Sequence, residues 1–306
     1  MNVLFQSLWM PSPADCRTAV FAVDFFEAPW LNAGCTRCMS SSIRAFVKGA
    51  LFKWFPGAAT QLFSARARAY SQALVKSWGC LELNRKIIQR FGNHVLHGPF
   101  SGMELSRETR REHLAPYLLG IYECELHPVW DSVFQMQFDQ ILDVGAKFGF
   151  YAVGLARRFP ETPVLAFDTD PWARKATREM SSANGVDVKV LGICCPEWMR
   201  RNLQKNTFIL SDCEGYEATL FGSVEIPNFS SATMLIEMHE QFSPGVTRRI
   251  VSKYAGSHEI MTIPAGSTDA KLPPEMNCLT EAERQMAVNE YRTACQSWIL
   301  LKPKAR

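Results

Sequence analysis

Ile141-Leu142-Asp143-Val144-Gly145-Ala146-Lys147-Phe148-Gly149-Phe150-Tyr151 decides the fold of this chain. An apolar run ends in an acid, turns through two glycines four residues apart, and leads into a second apolar segment. That order predicts a buried strand, a tight loop and a helix. Gly145 and Gly149 let the backbone turn sharply and approach a ligand closely. Asp143 offers a carboxylate at the start of the turn, suited to organising the loop and to meeting a ligand's amino group. The spacing is GxxxG, whereas a dinucleotide pyrophosphate is cradled by GxGxxG. A carboxylate beside the loop also repels a pyrophosphate and suits a cationic sulfonium amino acid.

Working outward, strand and helix patterns alternate. Strands are expected at Gln140–Val144, Val164–Phe167, Val188–Ile193, Thr207–Leu210 and Met234–Met238. Helices are expected at Tyr151–Phe159, Trp172–Ala183, Glu197–Leu203, Tyr216–Phe221 and Pro244–Tyr254. Continuous apolar strands alternating with helices imply a parallel sheet covered on both faces. Glu259–Ile263 and Ser297–Leu301 add two strands around a helix over Thr280–Arg292, where Thr280 and Glu283 form a capping box. A terminal strand pair after five βα units fits a methyltransferase sheet better than half of a dehydrogenase. The fold class expected is α/β: Rossmann-like, a mostly parallel seven-stranded sheet with helices on both faces and a helical N-terminal extension.

Ligands of such sheets bind outside the carboxyl ends of the strands. Asp168 closes the second strand, placed to accept hydrogen bonds from both ribose hydroxyls. The competing role, a helix N-cap, falls more naturally to Asp170 before Pro171. Gly192, Ile193 and Cys194 stand where an adenine ring would be flanked. After the fourth and fifth strands come Asp212, Glu214, Glu217, Glu237 and His239. Asp212 belongs beside the methionine portion or the methyl group of a sulfonium donor. His239 has an ordinary pKa suited to a general base, and a hydrogen-bonded structural histidine is the alternative. Glu214 and Glu217 can instead fix the Gly215 turn. No metal is assigned, since the paired carboxylates lack a further clear acidic ligand.

The remainder is less directive. Residues 1–62 form an unassigned extension, with a lone Cys35-Thr36-Arg37-Cys38 and a serine run at Ser40, Ser41 and Ser42. Residues 63–135 form a helical lid region: one helix from Phe63 to Phe91, then a helix or helix pair over 113–135. Residues 136–306 form the binding domain. Tyr122 and Glu123 precede the first strand, where a helix closes over a cofactor; core and surface positions are the plainer reading. Arg284, Glu290 and Arg292 are candidates for recognising an anionic or sugar acceptor, or else a salt-bridged helix surface.

Apolar residues make up 47% and charged residues 21% of 306, the balance of a soluble globular protein. No run is long and apolar enough to span a membrane. The first thirty residues carry Asp15, Asp24 and Glu27, unlike a cleaved leader. Ten scattered cysteines suggest reduced thiols and a cytoplasmic setting. Residues 1–92 hold 11 Lys and Arg against 4 Asp and Glu, and the rest 22 against 26. The basic part fits a solvated helical face or an anionic partner; nothing in it reads nucleic acid.

With these residues in hand, the chain resembles the FkbM-like branch of class I methyltransferases. Asp143-Val144-Gly145-Ala146, then Gly149 and Tyr151, are similar to that family's DVGANxGxY loop. Asp212-Cys213-Glu214-Gly215-Tyr216-Glu217 is similar to its DVEGxE motif, and Leu235-Ile236-Glu237-Met238-His239 to its next strand. Gly98-Pro99-Phe100-Ser101-Gly102-Met103 and Leu119-Gly120-Ile121-Tyr122-Glu123 look like segments that precede the domain in bacterial relatives. Lys147 departs from the family's asparagine: its ammonium either pairs with the cofactor carboxylate or crowds the loop. The resemblance implies S-adenosyl-L-methionine as cofactor and O-methylation of a hydroxyl on a sugar or small metabolite. A silent S-adenosylmethionine-binding protein and an NAD-type oxidoreductase are the alternatives. Cofactor contacts are expected from Tyr122, Glu123, Asp143, Gly145, Ala146, Lys147, Gly149, Asp168 and Asp212; catalytic groups are His239, Asp212 and Glu214.

Overall fold

The computed structural model describes residues 56–222, 225–266, 273–291 and 296–304. Its contacts separate Met1–Ala67 from Arg68–Arg306. The CxxC pair, the serine run and Arg292 lie outside the described residues.

Helix α1 spans Pro56–Ser77 and α2 spans Cys80–Phe91. The single helix expected over Phe63–Phe91 is therefore broken. Gly79 turns into the left-handed region at φ 81°, which restarts the helix in a new direction. Next come α3 (Ala115–Leu119) and α4 (His127–Val133), the helix pair read from the 113–135 pattern. Pro128 sits in the first turn of α4, where its missing N–H costs nothing, so it opens that helix and breaks none.

The sheet follows. Strands β1 (Gln140–Val144), β2 (Val164–Phe167) and β3 (Val188–Leu191) alternate with α5 (Phe150–Arg158) and α6 (Pro171–Ala183). Then come α7 (Pro196–Asn202), β4 (Thr207–Ser211), β5 (Thr233–Met238), α8 (Val246–Tyr254), β6 (His258–Pro264), α9 (Glu281–Val288) and β7 (Ser297–Pro303). Seven strands pair in the order β3-β2-β1-β4-β5-β7-β6. The first five are parallel and β7 runs antiparallel between β5 and β6. This is the Rossmann-like seven-stranded sheet expected from sequence. The chain steps from β1 to β3 in one direction and from β4 to β5 in the other. Right-handed crossovers then place the early and late connections on opposite faces, and the direction reverses between β1 and β4.

Three elements differ from the sequence reading. The expected helix Tyr216–Phe221 is a wide π-type turn at Ala218–Gly222. Strand β3 stops at Leu191, short of Ile193. The helix begun by the Thr280–Glu283 capping box ends at Val288, because the Asn289 side chain takes the Tyr291 amide at 2.7 Å and starts a turn.

Helices α2, α3 and α4 share one core with the sheet: Leu83, Ile87, Leu118, Trp130, Ile141 and Phe208 pack in a single cluster. Phe100 sits at its centre, edge-on to Trp130, Phe134, Phe150 and Tyr151. Gly154 makes room for it, since a β-carbon there would lie 2.3 Å from the Phe100 ring. Truncating such a ring costs roughly 3–5 kcal/mol. No helix of the described residues is long and apolar enough to cross a membrane.

Candidate active site

The site is built where the sheet reverses, at the carboxyl ends of β1, β2, β4 and β5. Gly145 leaves β1 at φ 90°, and its α-carbon lies against the backbone of Asp212. Lys147 follows at φ 49°, a left-handed conformation that asparagine adopts more readily than lysine. The loop closes at Gly149 (φ 84°), where a β-carbon would lie 2.7 Å from Thr177. Three left-handed residues thus fall within this one five-residue segment.

Asp143 is buried at the end of β1. Burial raises its pKa to about 8, opposed by the nearby Ala152 amide of α5 and helped by the charges of Asp212 and Asp168. Its Oδ2 is buried without a partner.

Asp168 stands at the tip of β2. Its Oδ2 accepts the Lys147 amide at 2.8 Å and its Oδ1 the Asp170 amide at 2.7 Å. Burial raises this carboxyl to about 6, opposed by those two amides. Asp170 caps α6 by accepting the Trp172 amide at 2.9 Å, as its place before Pro171 predicts. Asp168 is thus a fixed carboxylate with lone pairs to spare. Beyond it, Gly192 and Ile193 are accessible and Cys194 is buried.

An aromatic wall flanks the loop. Tyr122 stacks on Tyr117 with ring centres 3.9 Å apart, and Tyr117 meets the edges of Phe148 and Phe150. Glu123 is buried, correcting its surface assignment, and accepts the Tyr151 hydroxyl. Its own amide donates to Glu290 at 2.7 Å. Desolvation holds the phenols of Tyr122 and Tyr151 well above their ordinary range. The Lys147 ammonium lies 5.6 Å from the Phe148 ring centre. Tyr117 first, and then the charges of Glu112, Asp212 and Glu123, hold its pKa up. Arg284 bonds to the Leu279 carbonyl at 3.2 Å and lies 3.8 Å from Glu281, which fits the helix-surface reading.

The fourth strand ends in the turn Asp212–Glu217, with Glu214 at φ 51° and Gly215 at φ 101°. Glu217 is fully buried beneath this turn and accepts the Cys213 amide at 3.3 Å. The same Glu217 oxygen bonds to Nδ1 of His239 at 2.8 Å. His239, just past β5, is fully buried. Its Nε2 faces Asp212, Glu214 and Glu237, each 3.5 Å away. Burial pulls the imidazole down, but the Glu217 bond and the charges of Asp212, Glu217 and Glu214 outweigh it, leaving the pKa raised. Partial desolvation by its neighbours and the charge of Asp212 lift Glu214, which stands at an exposed position, to about 7.

Gly145, Lys147, Asp168 and Asp212 thus meet around the loop that follows Asp143, and Asp212, Glu214 and His239 meet at one point; Tyr122 and Glu123 belong to the neighbouring aromatic wall. The reach of Glu217 to His239 was not read from sequence. Its signal was the acid three residues after Glu214, which places a second carboxylate under the turn.

No established family's sequence model matches the chain, and no curated protein does. Among solved structures it is similar to a putative O-methyltransferase from Klebsiella pneumoniae, at 11% identity over 78% of this chain and 97% of that one, with a TM-score of 0.39. It is similar to a precorrin-6y C5,15-methyltransferase from Geobacter metallireducens, at 11% identity over 60% and 88%, TM-score 0.39. An rRNA methylase from Streptococcus thermophilus aligns at 12% identity over 59% and 97%, TM-score 0.40. Likeness this distant does not carry an acceptor from one chain to another.

Proposed function

We propose that this protein is an S-adenosylmethionine-dependent methyltransferase of the FkbM-like kind, acting on a hydroxyl of a sugar or small metabolite. The observation that carries the reading is Asp168. Its carboxylate is pinned by the amides of Lys147 and Asp170 beside the glycine loop, at the point where the sheet reverses. Both oxygens keep lone pairs for a pair of ribose hydroxyls. The buried, unpartnered oxygen Asp143 Oδ2 fits a cationic amino-acid portion. Tyr122 and Glu123, which lie within electrostatic reach of Asp212 and Lys147, are assigned as further cofactor contacts.

S-adenosylmethionine, when bound, supplies an electrophilic methyl group on a positively charged sulfur. The residues of this chain then hold the acceptor in line and take up the hydroxyl proton. Asp212, Glu214 and His239 are the groups assigned to that task. The thiols of Cys80, Cys194, Cys213 and Cys278 fit a reducing, cytoplasmic setting.

An NAD-type oxidoreductase fits less well. A pyrophosphate would need the amides that begin α5, and the buried carboxyl of Asp143 stands at the start of the same loop. A silent binding protein shares the donor site and differs only in turnover. Calorimetry with S-adenosylmethionine, S-adenosylhomocysteine and NADH is the test. The expected result is binding of the first two, no binding of NADH, and at least tenfold weaker binding by Asp168→Ala. Binding of NADH alone overturns the reading.

A further inference from the structure

The cluster at the ends of β4 and β5 has an electrostatic problem that its own residues leave open. Glu217 takes the Nδ1 side of His239 at 2.8 Å. With the proton on Nδ1, the other nitrogen carries a lone pair. That lone pair faces oxygens of Asp212, Glu214 and Glu237, each at 3.5 Å. Four acceptors of like polarity therefore converge. The ring is fully buried, and Nε2 and Asp212 Oδ1 are buried atoms with no hydrogen-bond partner. Lys147 adds positive charge from the loop side, but its ammonium sits over the Phe148 ring.

One atom from each of Asp212, Glu214 and His239 falls within 4.8 Å of the other two. Around a small divalent cation with bonds of about 2.1 Å, ligands lie roughly 3.0 Å apart when adjacent and roughly 4.2 Å when opposite. The observed spacing suits three ligands closing on such an ion with little movement. The second shell is present as well. A metal-binding imidazole characteristically donates its other N–H to a carboxylate, which fixes its tautomer, and Glu217 is in that position.

We propose that Asp212, Glu214 and His239 Nε2 bind a divalent cation of the Mg2+ or Mn2+ class, with an acceptor hydroxyl among its remaining ligands. Carboxylate oxygens with one imidazole match that class better than a thiol-seeking metal. Such an ion neutralises the carboxylates. It also lowers the pKa of a coordinated hydroxyl, so that the O–H bond breaks with its electron pair left on oxygen and the proton released to water; with the ion bound, the three side chains act through it instead of taking the proton themselves. Assigning the hydroxyl rests on the methyl-transfer reading; the cation site does not.

The test is a titration of the chelator-treated full chain with Mn2+, followed by electron paramagnetic resonance. The expected result is one tightly bound Mn2+ per chain, with a nitrogen coupling from the imidazole. Glu214→Gln, at an exposed position, should weaken uptake about tenfold or more, and His239→Gln should remove the nitrogen coupling. Asp168→Asn should leave Mn2+ uptake unchanged while weakening S-adenosylhomocysteine. Mn2+ bound by these ligands without any nucleoside binding supports the cation site and overturns the donor reading alone. No uptake overturns the proposal, as does uptake indifferent to Glu214→Gln or free of nitrogen coupling. In those cases the cluster is held by a protonated ring shared among the carboxylates.

Discussion

Gly145 lies directly against Asp212: a β-carbon on this glycine would come within 1.7 Å of the Asp212 carbonyl oxygen. The first and fourth strand ends touch through backbone alone, and this contact brings the glycine loop to the acidic turn. Gly145→Ala cannot be absorbed by a side-chain shift, because the obstacle is main chain and φ is 90°. The expected result is a loss of more than about 3 kcal/mol of stability, or failure to fold. Urea denaturation measures it, and a loss under about 1 kcal/mol would show that the loop can retreat.

Asp168 makes stability depend on pH. Its carboxyl is raised from 3.8 to about 6 in the folded chain, so the folded state holds the proton more tightly than the unfolded state. Its contribution is complete below the unfolded value and is lost as pH rises through about 6. Asp168→Asn should remove a slope of up to about 1.4 kcal/mol per pH unit across that window. Denaturation midpoints of both proteins from about pH 4 to about pH 7 decide it; parallel curves would place the titration elsewhere.

Lys147→Asn sets backbone against charge. Asparagine relieves part of the roughly 1–2 kcal/mol cost of a left-handed residue but deletes a cation near Glu112, Glu123 and Asp212. Salt screens the second effect more than the first. The variant should melt above the wild type in about 0.5 M salt, with the advantage narrowing as salt is removed. A lower melting temperature at both extremes would show that the ammonium is the stronger contributor.

Glu217→Gln keeps an acceptor oxygen for His239 and turns Oε2, now buried without a partner, into an amide donor. An unsatisfied buried donor costs about 1–3 kcal/mol. Chemical denaturation should show a loss in that range, with secondary structure unchanged by circular dichroism.

The sheet was legible because a parallel strand buried on both faces writes itself as an uninterrupted apolar run. The loop was legible because its left-handed turns demand glycine. Asp170 and the Thr280–Glu283 box were readable because helix caps are local. Trp78-Gly79 was harder: apolar spacing continues across it, and a single glycine does not announce whether a helix bends or restarts. Glu123 misled for a related reason. Its burial depends on Tyr151 and Glu290, one 28 residues on and the other 167. The partnership of Glu217 with His239 spans 22 residues and the whole of β5, and no periodicity encodes it.

Strand β7 lies between β5 and β6, although it is made after both. During synthesis, β6 therefore emerges with no strand to join. Until residues 297–303 leave the ribosome, β5 is the outer edge of a five-stranded sheet. That edge carries Met234, Leu235 and Ile236, which are completely buried once the fold is finished. A nascent chain so arrested presents a sticky, unpaired flank to its neighbours. The strand that bears Glu237 and leads to His239 is thus completed late, and expression yield should respond sharply to changes in β7 that leave every residue of the site untouched.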